Sequence, residues 1–219
     1  MAEGIFDAIR VRSVETVRDA LASGKALESA DEEGRTPLLQ AALLGYEEIL
    51  SEVLRHRPNL EARDDEGDTA LIIAATLGRA GIVSKLLQAG ALPDGAGSFP
   101  KETALMSASR ISPDCVRVLL SAGADVNGQD AAGSTPLMGA VHGRNLDSER
   151  ILIAAKASID LRDSKGRTAL FHAVVSTYED VCLALLDAGA DPDLEDCSGT
   201  SPRMLASQLK CEAINRRLL

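Results

Sequence analysis

The 219-residue sequence has no tryptophan, two tyrosines and three phenylalanines, so aromatics supply only 2% of it. A core has to come from the small and branched aliphatics within the 45% hydrophobic fraction. That composition suits thin, close-packed helix pairs better than a broad sheet sandwich. Basic runs are missing as well. The longest is Arg216-Arg217, and a net charge of −10 repels DNA, RNA and anionic lipid. No apolar stretch is long enough to span a bilayer, so no membrane role is expected. The opening MAEGIFDAIRVR lacks the apolar centre of a secretory signal. With Met1 as the natural start, the chain is expected in the cytoplasm. With an export signal ahead of it, the periplasm or the exterior is expected instead. Cys115, Cys182, Cys197 and Cys211 show neither a CxxC pair nor a Cys/His metal spacing, and read as reduced thiols, two of them filling core.

Reactive constellations are also scarce. His56, His142 and His172 include no pair at the i, i+4 spacing of a helical metal site. No glycine-rich phosphate loop and no Ser or Cys with a recognisable base partner occurs. Acidic pairs such as Asp64-Asp65 fall on turns expected to be exposed, where nothing would shift a carboxyl. No catalytic residue, metal or cofactor is therefore assigned, and the chain is not expected to be an enzyme.

What the sequence does contain is a repeat. The segments TPLLQAA, TALIIAA, TALMSAS, TPLMGAV, TALFHAV and SPRMLAS begin at Thr36, Thr69, Thr103, Thr135, Thr168 and Ser201, at steps of 33, 34, 32, 33 and 33 residues. A second apolar stretch follows each, as in IVSKLLQAGA and VCLALLDAGADPDL. A fixed period in this range signals a stacked solenoid. The hydroxyl residue caps a first helix, and Pro is tolerated in the first turn, where its missing N–H is not needed. Gly90, Gly123 and Gly189 close second helices. Asp and Gly ahead of the next Thr form a tight turn.

These residues resemble the ankyrin repeat in the T-P-L…A signature, the GAD-type helix ending and the turns DEEGRT, DDEGDT, DAAGST and DSKGRT. The resemblance implies an all-α solenoid of paired antiparallel helices with projecting β-turn fingers, about seven repeats including two caps. Residues 1–219 read as one domain. Its units are an N-terminal cap over 1–30, full repeats over 31–63, 64–96, 97–129, 130–162 and 163–195, and a C-terminal cap over 196–219. In the opening cap Ile5, Ala8, Ile9, Val14, Val17 and Leu21 are expected to face inward. The histidine that usually follows T-P-L in the family is replaced by Leu39, Ile72, Met106, Met138, Phe171 and Met204, which read as core. One junction, GALPDGAGSFPKET, departs from the turn pattern and places Phe99 at or near a finger tip.

The resemblance also implies a concave face built from finger tips and the late part of each first helix, used to bind proteins. Carried onto this chain, the tips are Glu32, Glu33 and Arg35, then Asp65, Glu66 and Asp68, then Phe99, Pro100 and Glu102. Ala131, Ala132 and Ser134 follow, and Ser164, Lys165 and Arg167 end the series. The helix ends add Leu43 and Leu44, Thr76 and Leu77, Arg110 and Ile111, His142, and Val175. An apolar ladder of Leu43, Leu44, Leu77 and Ile111 then runs beside acidic tips, and the tips turn basic towards Arg162, Lys165 and Arg167. An apolar centre ringed by charge is the anatomy of a protein interface, and the acidic half would steer a basic partner. The expected function is a non-catalytic module holding a partner protein with a basic surface patch in its groove. A regulator, inhibitor or immunity-type protein masking an enzyme is the concrete version. The alternative is a structural scaffold or self-assembly adaptor. No nucleic acid is expected to bind, and the chain alone is expected to be monomeric.

Overall fold

The computed structural model describes residues 3–22, 24, 26–95, 102–209 and 212–218. These residues contain fourteen helices and no strand: α1 (Glu3–Arg10), α2 (Val14–Ala22), α3 (Pro37–Leu44), α4 (Glu47–Arg55), α5 (Ala70–Thr76), α6 (Ala80–Gln88), α7 (Ala104–Ile111), α8 (Pro113–Ser121), α9 (Pro136–His142), α10 (Leu146–Ala154), α11 (Ala169–Val175), α12 (Glu179–Asp187), α13 (Pro202–Gln208) and α14 (Glu212–Leu218). Each odd-numbered helix packs on the next even one as a hairpin. Odd helices then stack on odd ones to form an inner row, and the even helices form an outer row.

Local chemistry explains the repetition. Thr36, Thr69, Thr103, Thr135, Thr168 and Ser201 each accept the amide of the residue three places on, at 3.2–3.5 Å. Each hydroxyl thus satisfies one orphan donor of the helix it opens. Ahead of these caps, Asp31, Asp64, Asp130, Asp163 and Asp196 fold their carboxylates back onto the amide four residues on, at 2.7–3.1 Å. Backbone bonds then tie neighbouring fingers. The amides of Asp65, Ser164 and Cys197 donate to the carbonyls of Glu33, Ala132 and Lys165. At the other end of each hairpin, Glu28, Glu61, Asp94, Asn127 and Asp160 accept an amide from the following repeat at 2.8–3.1 Å.

The core is a ladder whose rungs are set by register. Ile49, Leu50 and Val53 of α4 are followed one repeat on by Ile82, Val83 and Leu86, then Cys115, Val116 and Leu119, and later Val181, Cys182 and Leu185, all buried. Ile5, Ala8, Ile9, Val17 and Leu21 begin the ladder, with Phe6 beside them and Val14 half-buried. The residues in place of the family histidine are buried in five copies. In the last, Met204 is exposed, because no further pair covers α13. Gly139 permits the close seam between α7 and α9: a Cβ there would lie 2.9 Å from the Met106 carbonyl oxygen.

One rung breaks the pattern. On α10 the matching positions hold Ser148 and Glu149 above Leu152. Both are fully buried, and neither the Ser148 hydroxyl nor either Glu149 carboxylate oxygen has a hydrogen-bond partner. Burial pushes the Glu149 carboxyl up to about 7, with Arg150 opposing and Asp180 reinforcing the shift. In the outer row, α10 touches α12 less than it touches α8. The polar rung therefore sits beside a loose seam.

A folded value above the unfolded 4.5 means that protonated Glu149 is favoured by folding. Its contribution is fully present below the unfolded value and is lost as pH rises through about 7. Urea denaturation of wild type and of Glu149→Leu at several pH values should show the variant's advantage growing by on the order of 3 kcal/mol between pH 4.5 and pH 8. A gap independent of pH would refute this. A second expectation concerns the ends of outer helices. There Arg57 (φ 55°) and Lys156 (φ 68°) occupy the left-handed conformation that Gly90, Gly123 and Gly189 adopt in sister repeats. Lys156→Gly should raise stability by about 1 kcal/mol, read as an upward shift of the thermal midpoint.

Candidate partner-binding groove

The inner-row helices end on one side of the stack, and the fingers project beside them. Arg35, Leu43, Glu66, Asp68, Thr76 and Leu77, all anticipated from register, converge with Asp64 and Ile73 around one depression of about 150 Å³. Leu77 and Ile111 are 43% and 56% exposed, large values for residues of this size; Leu77 follows the end of α5 and Ile111 ends α7, the neighbouring inner-row helix. Leu44 is half-buried against the core. Glu32 and Glu33 face a different hollow, shared with Phe6, Asp7 and Arg10 of the first hairpin. Phe99 and Pro100 lie outside the described residues.

The second finger corrects one expectation. Asp65 is exposed, but the Asp64 side chain is only 6% exposed, because its Oδ1 turns inward to accept the Asp68 amide at 2.9 Å. The Asp68 carboxyl is raised above its ordinary value, first by partial burial and then by the charges of Asp64 and Glu66, with Arg63 opposing. The Asp68 carboxyl on this turn is therefore shifted, and the buried Asp64 side chain departs from the reading of a fully solvated tip. Arg35 gives weak relief, standing 3.9 Å from Glu33 and 4.0 Å from Asp64.

Farther along, Glu102 closes on Arg110 as an ion pair. His142 meets His172 edge to face, with ring centroids 4.9 Å apart, and His172 Nε2 lies 2.9 Å from Asp163 Oδ2. Burial of the ring, then His172 and Arg110, holds His142 below its usual value, against the pull of Asp163. His142 is therefore neutral at pH 7. At the basic end, Lys165 is exposed, whereas Arg167 lies over the Phe171 ring and 3.5 Å from Asp196. Arg162 is spent on the carbonyls of Gly166 and Glu195. Val175 is exposed at the end of α11. Register reasoning named neither His172 nor Ile73 as groove residues. Both sit four places after the capping Thr, one helical turn before the positions it did name. Among the described residues no cluster of His, Cys, Asp or Glu could hold a metal ion, and no helix is long and apolar enough to cross a membrane.

A family model of ankyrin repeats (3 copies) matches residues 5–96 and again residues 105–196. The chain belongs to the ankyrin-repeat family, whose repeats are protein–protein interaction modules. Among solved structures, it resembles the crystal structure of the ankyrin repeat domain of Bcl-3, described as a unique member of the IkappaB protein family. The TM-score is 0.86 over 97% of each chain, at 23% sequence identity, a likeness of fold. No curated protein sequence matches.

The histidine pair generates a direct expectation. In proton NMR titration, His142 should titrate below the ordinary 6.5, and His172→Gln should move its midpoint upward by removing a like charge. An unmoved midpoint would show that burial and Arg110 set it without His172.

Proposed function

We propose that this chain is a non-catalytic binding protein. It grips a folded partner by a basic surface patch in the groove between fingers and inner helices. By covering that patch it regulates the partner, as an inhibitor that masks a working surface. One observation carries the reading: the second-finger carboxylates Glu66, exposed, and Asp68, half-buried, stand beside exposed Leu77, with Ile111 at the end of the next inner-row helix. Acidic groups at a rim raise the encounter rate with a cationic surface, and the apolar strip supplies burial once contact is made. An open groove suits a macromolecule better than a small substrate.

The test is partner capture by the full chain, with the contact localised by cross-linking and mass spectrometry. Reversing Glu33, Asp65, Glu66 and Asp68 to Lys should weaken capture at least ~10-fold and flatten its salt dependence. Reversing Asp114 and Asp147, exposed at the starts of outer helices α8 and α10, should leave capture unchanged. The opposite pattern would move the interface to the outer face and overturn the groove reading.

A further inference from the structure

The depression at the second finger sets carboxylates beside an aliphatic floor, and these features define its occupant more closely. This step rests on the binding reading above. Asp64 is almost wholly buried. Its Oδ1 is used by the Asp68 amide, while Oδ2 faces only the Arg35 guanidinium at 4.0 Å, beyond hydrogen-bond reach. Arg35 Nε is itself buried without an acceptor. Neither the Glu66 nor the Asp68 carboxylate has an ion-pair or hydrogen-bond partner among the described residues. The next finger contrasts with this one, because Arg110 already neutralises Glu102. The floor between the carboxylates is apolar, formed by Leu43, Ile73 and Leu77.

The one cation lining the depression, Arg35, leans towards Asp64 and Glu33, so half-buried Asp68 and exposed Glu66 are left without an ion-pair partner among the described residues, and an aliphatic floor beside them asks for a long stem. We propose that this depression seats one arginine side chain of the partner protein, with its methylenes on Leu43 and Leu77 and its guanidinium between Asp68 and Glu66. Arginine fits better than lysine for two physical reasons. Its guanidinium is less strongly hydrated, so entering a partly dry site costs less, and its planar fork reaches two carboxylates at once. The stem of a long cation also covers apolar surface that would otherwise face water. The Asp68 carboxyl, raised first by burial and then by Asp64 and Glu66, agrees with this, since an arriving cation would offset both causes.

The probe is N-acetyl-argininamide, titrated into the ¹⁵N-labelled full chain. Its controls are N-acetyl-citrullinamide, the same shape without charge, and N-acetyl-lysinamide. Saturable shifts confined to the amides of Gly67, Asp68, Thr76 and Leu77 are expected, with the citrulline compound at least ~10-fold weaker. Asp68→Asn should abolish the response while the remaining spectrum keeps its folded pattern, and Leu77→Ser should weaken it. The inference is overturned by no response, by equal binding of the citrulline or lysine compound, or by unsaturable shifts spread over the acidic fingers. Loss of the argininamide response alongside charge-sensitive partner capture would discard this subsite and leave the groove reading standing.

Discussion

No hairpin of this chain can cover the apolar side it presents to the next one. Leu50, Val83, Val116 and Cys182 reach full burial only because a hairpin stacks on each side, so every unit depends on its neighbours and on nothing farther away. A stack of this kind is stabilised by the sum of its seams, and a fault at one seam is felt there before it is felt elsewhere. The hydrogen bonds obey the same rule. The amide ladder from Glu28 to Asp160 and the bonds between finger tips join only adjacent repeats. They fix the rotation of one hairpin on the next, while the aliphatic rungs supply the attraction.

Against that background Ser148 and Glu149 act as a local weakness rather than a global one. Between the fourth and fifth full repeats the inner row stays packed, α9 on α11, while the outer row loosens beside Glu149 at α12. The two rows therefore hold the fourth and fifth full repeats unequally. Local opening is governed by such differences in packing, and it concentrates where buried contacts are few.

How far the sequence discloses this depends on the range of each interaction. Thr36 caps a helix three residues away, and Asp31 closes a turn four residues away. Such devices recur as fixed words and read directly from the chain. Most residues around the second-finger depression, Leu43, Thr76 and Leu77 among them, followed from the ankyrin resemblance carried onto this chain, whereas Ile73 and Asp64 did not. Nor did Glu149. In the stretch LDSERILIA it looks like part of a solvated charged face, and only alignment beneath Val83 and Val116 reveals a core position. The acceptors Glu28, Glu61, Asp94, Asn127 and Asp160 also vary in type, so their shared role is hidden until the amide 31 residues on is seen beside them. The state of each charge was equally out of reach. Glu102 and Asp68 look alike as finger-tip acids, yet one pairs with Arg110 and the other has no ion-pair partner among the described residues.

That last difference shapes the field of the groove. A count of charges along the fingers suggests a dipole, acidic near the start and basic near the end. The geometry makes it lopsided. Arg167 is engaged by Asp196 and Phe171, Arg162 by backbone carbonyls, and His142 is held neutral by burial and by His172. The free cation named at that end is Lys165, exposed and screened by water. At the other end Glu66 and Asp68 have no ion-pair partner among the described residues and lie close to apolar surface of low polarisability. Charge at such a boundary is felt more strongly than charge in open solvent. The groove therefore presents one effective pole, and orientation of a partner would be set by where its own positive patch lies.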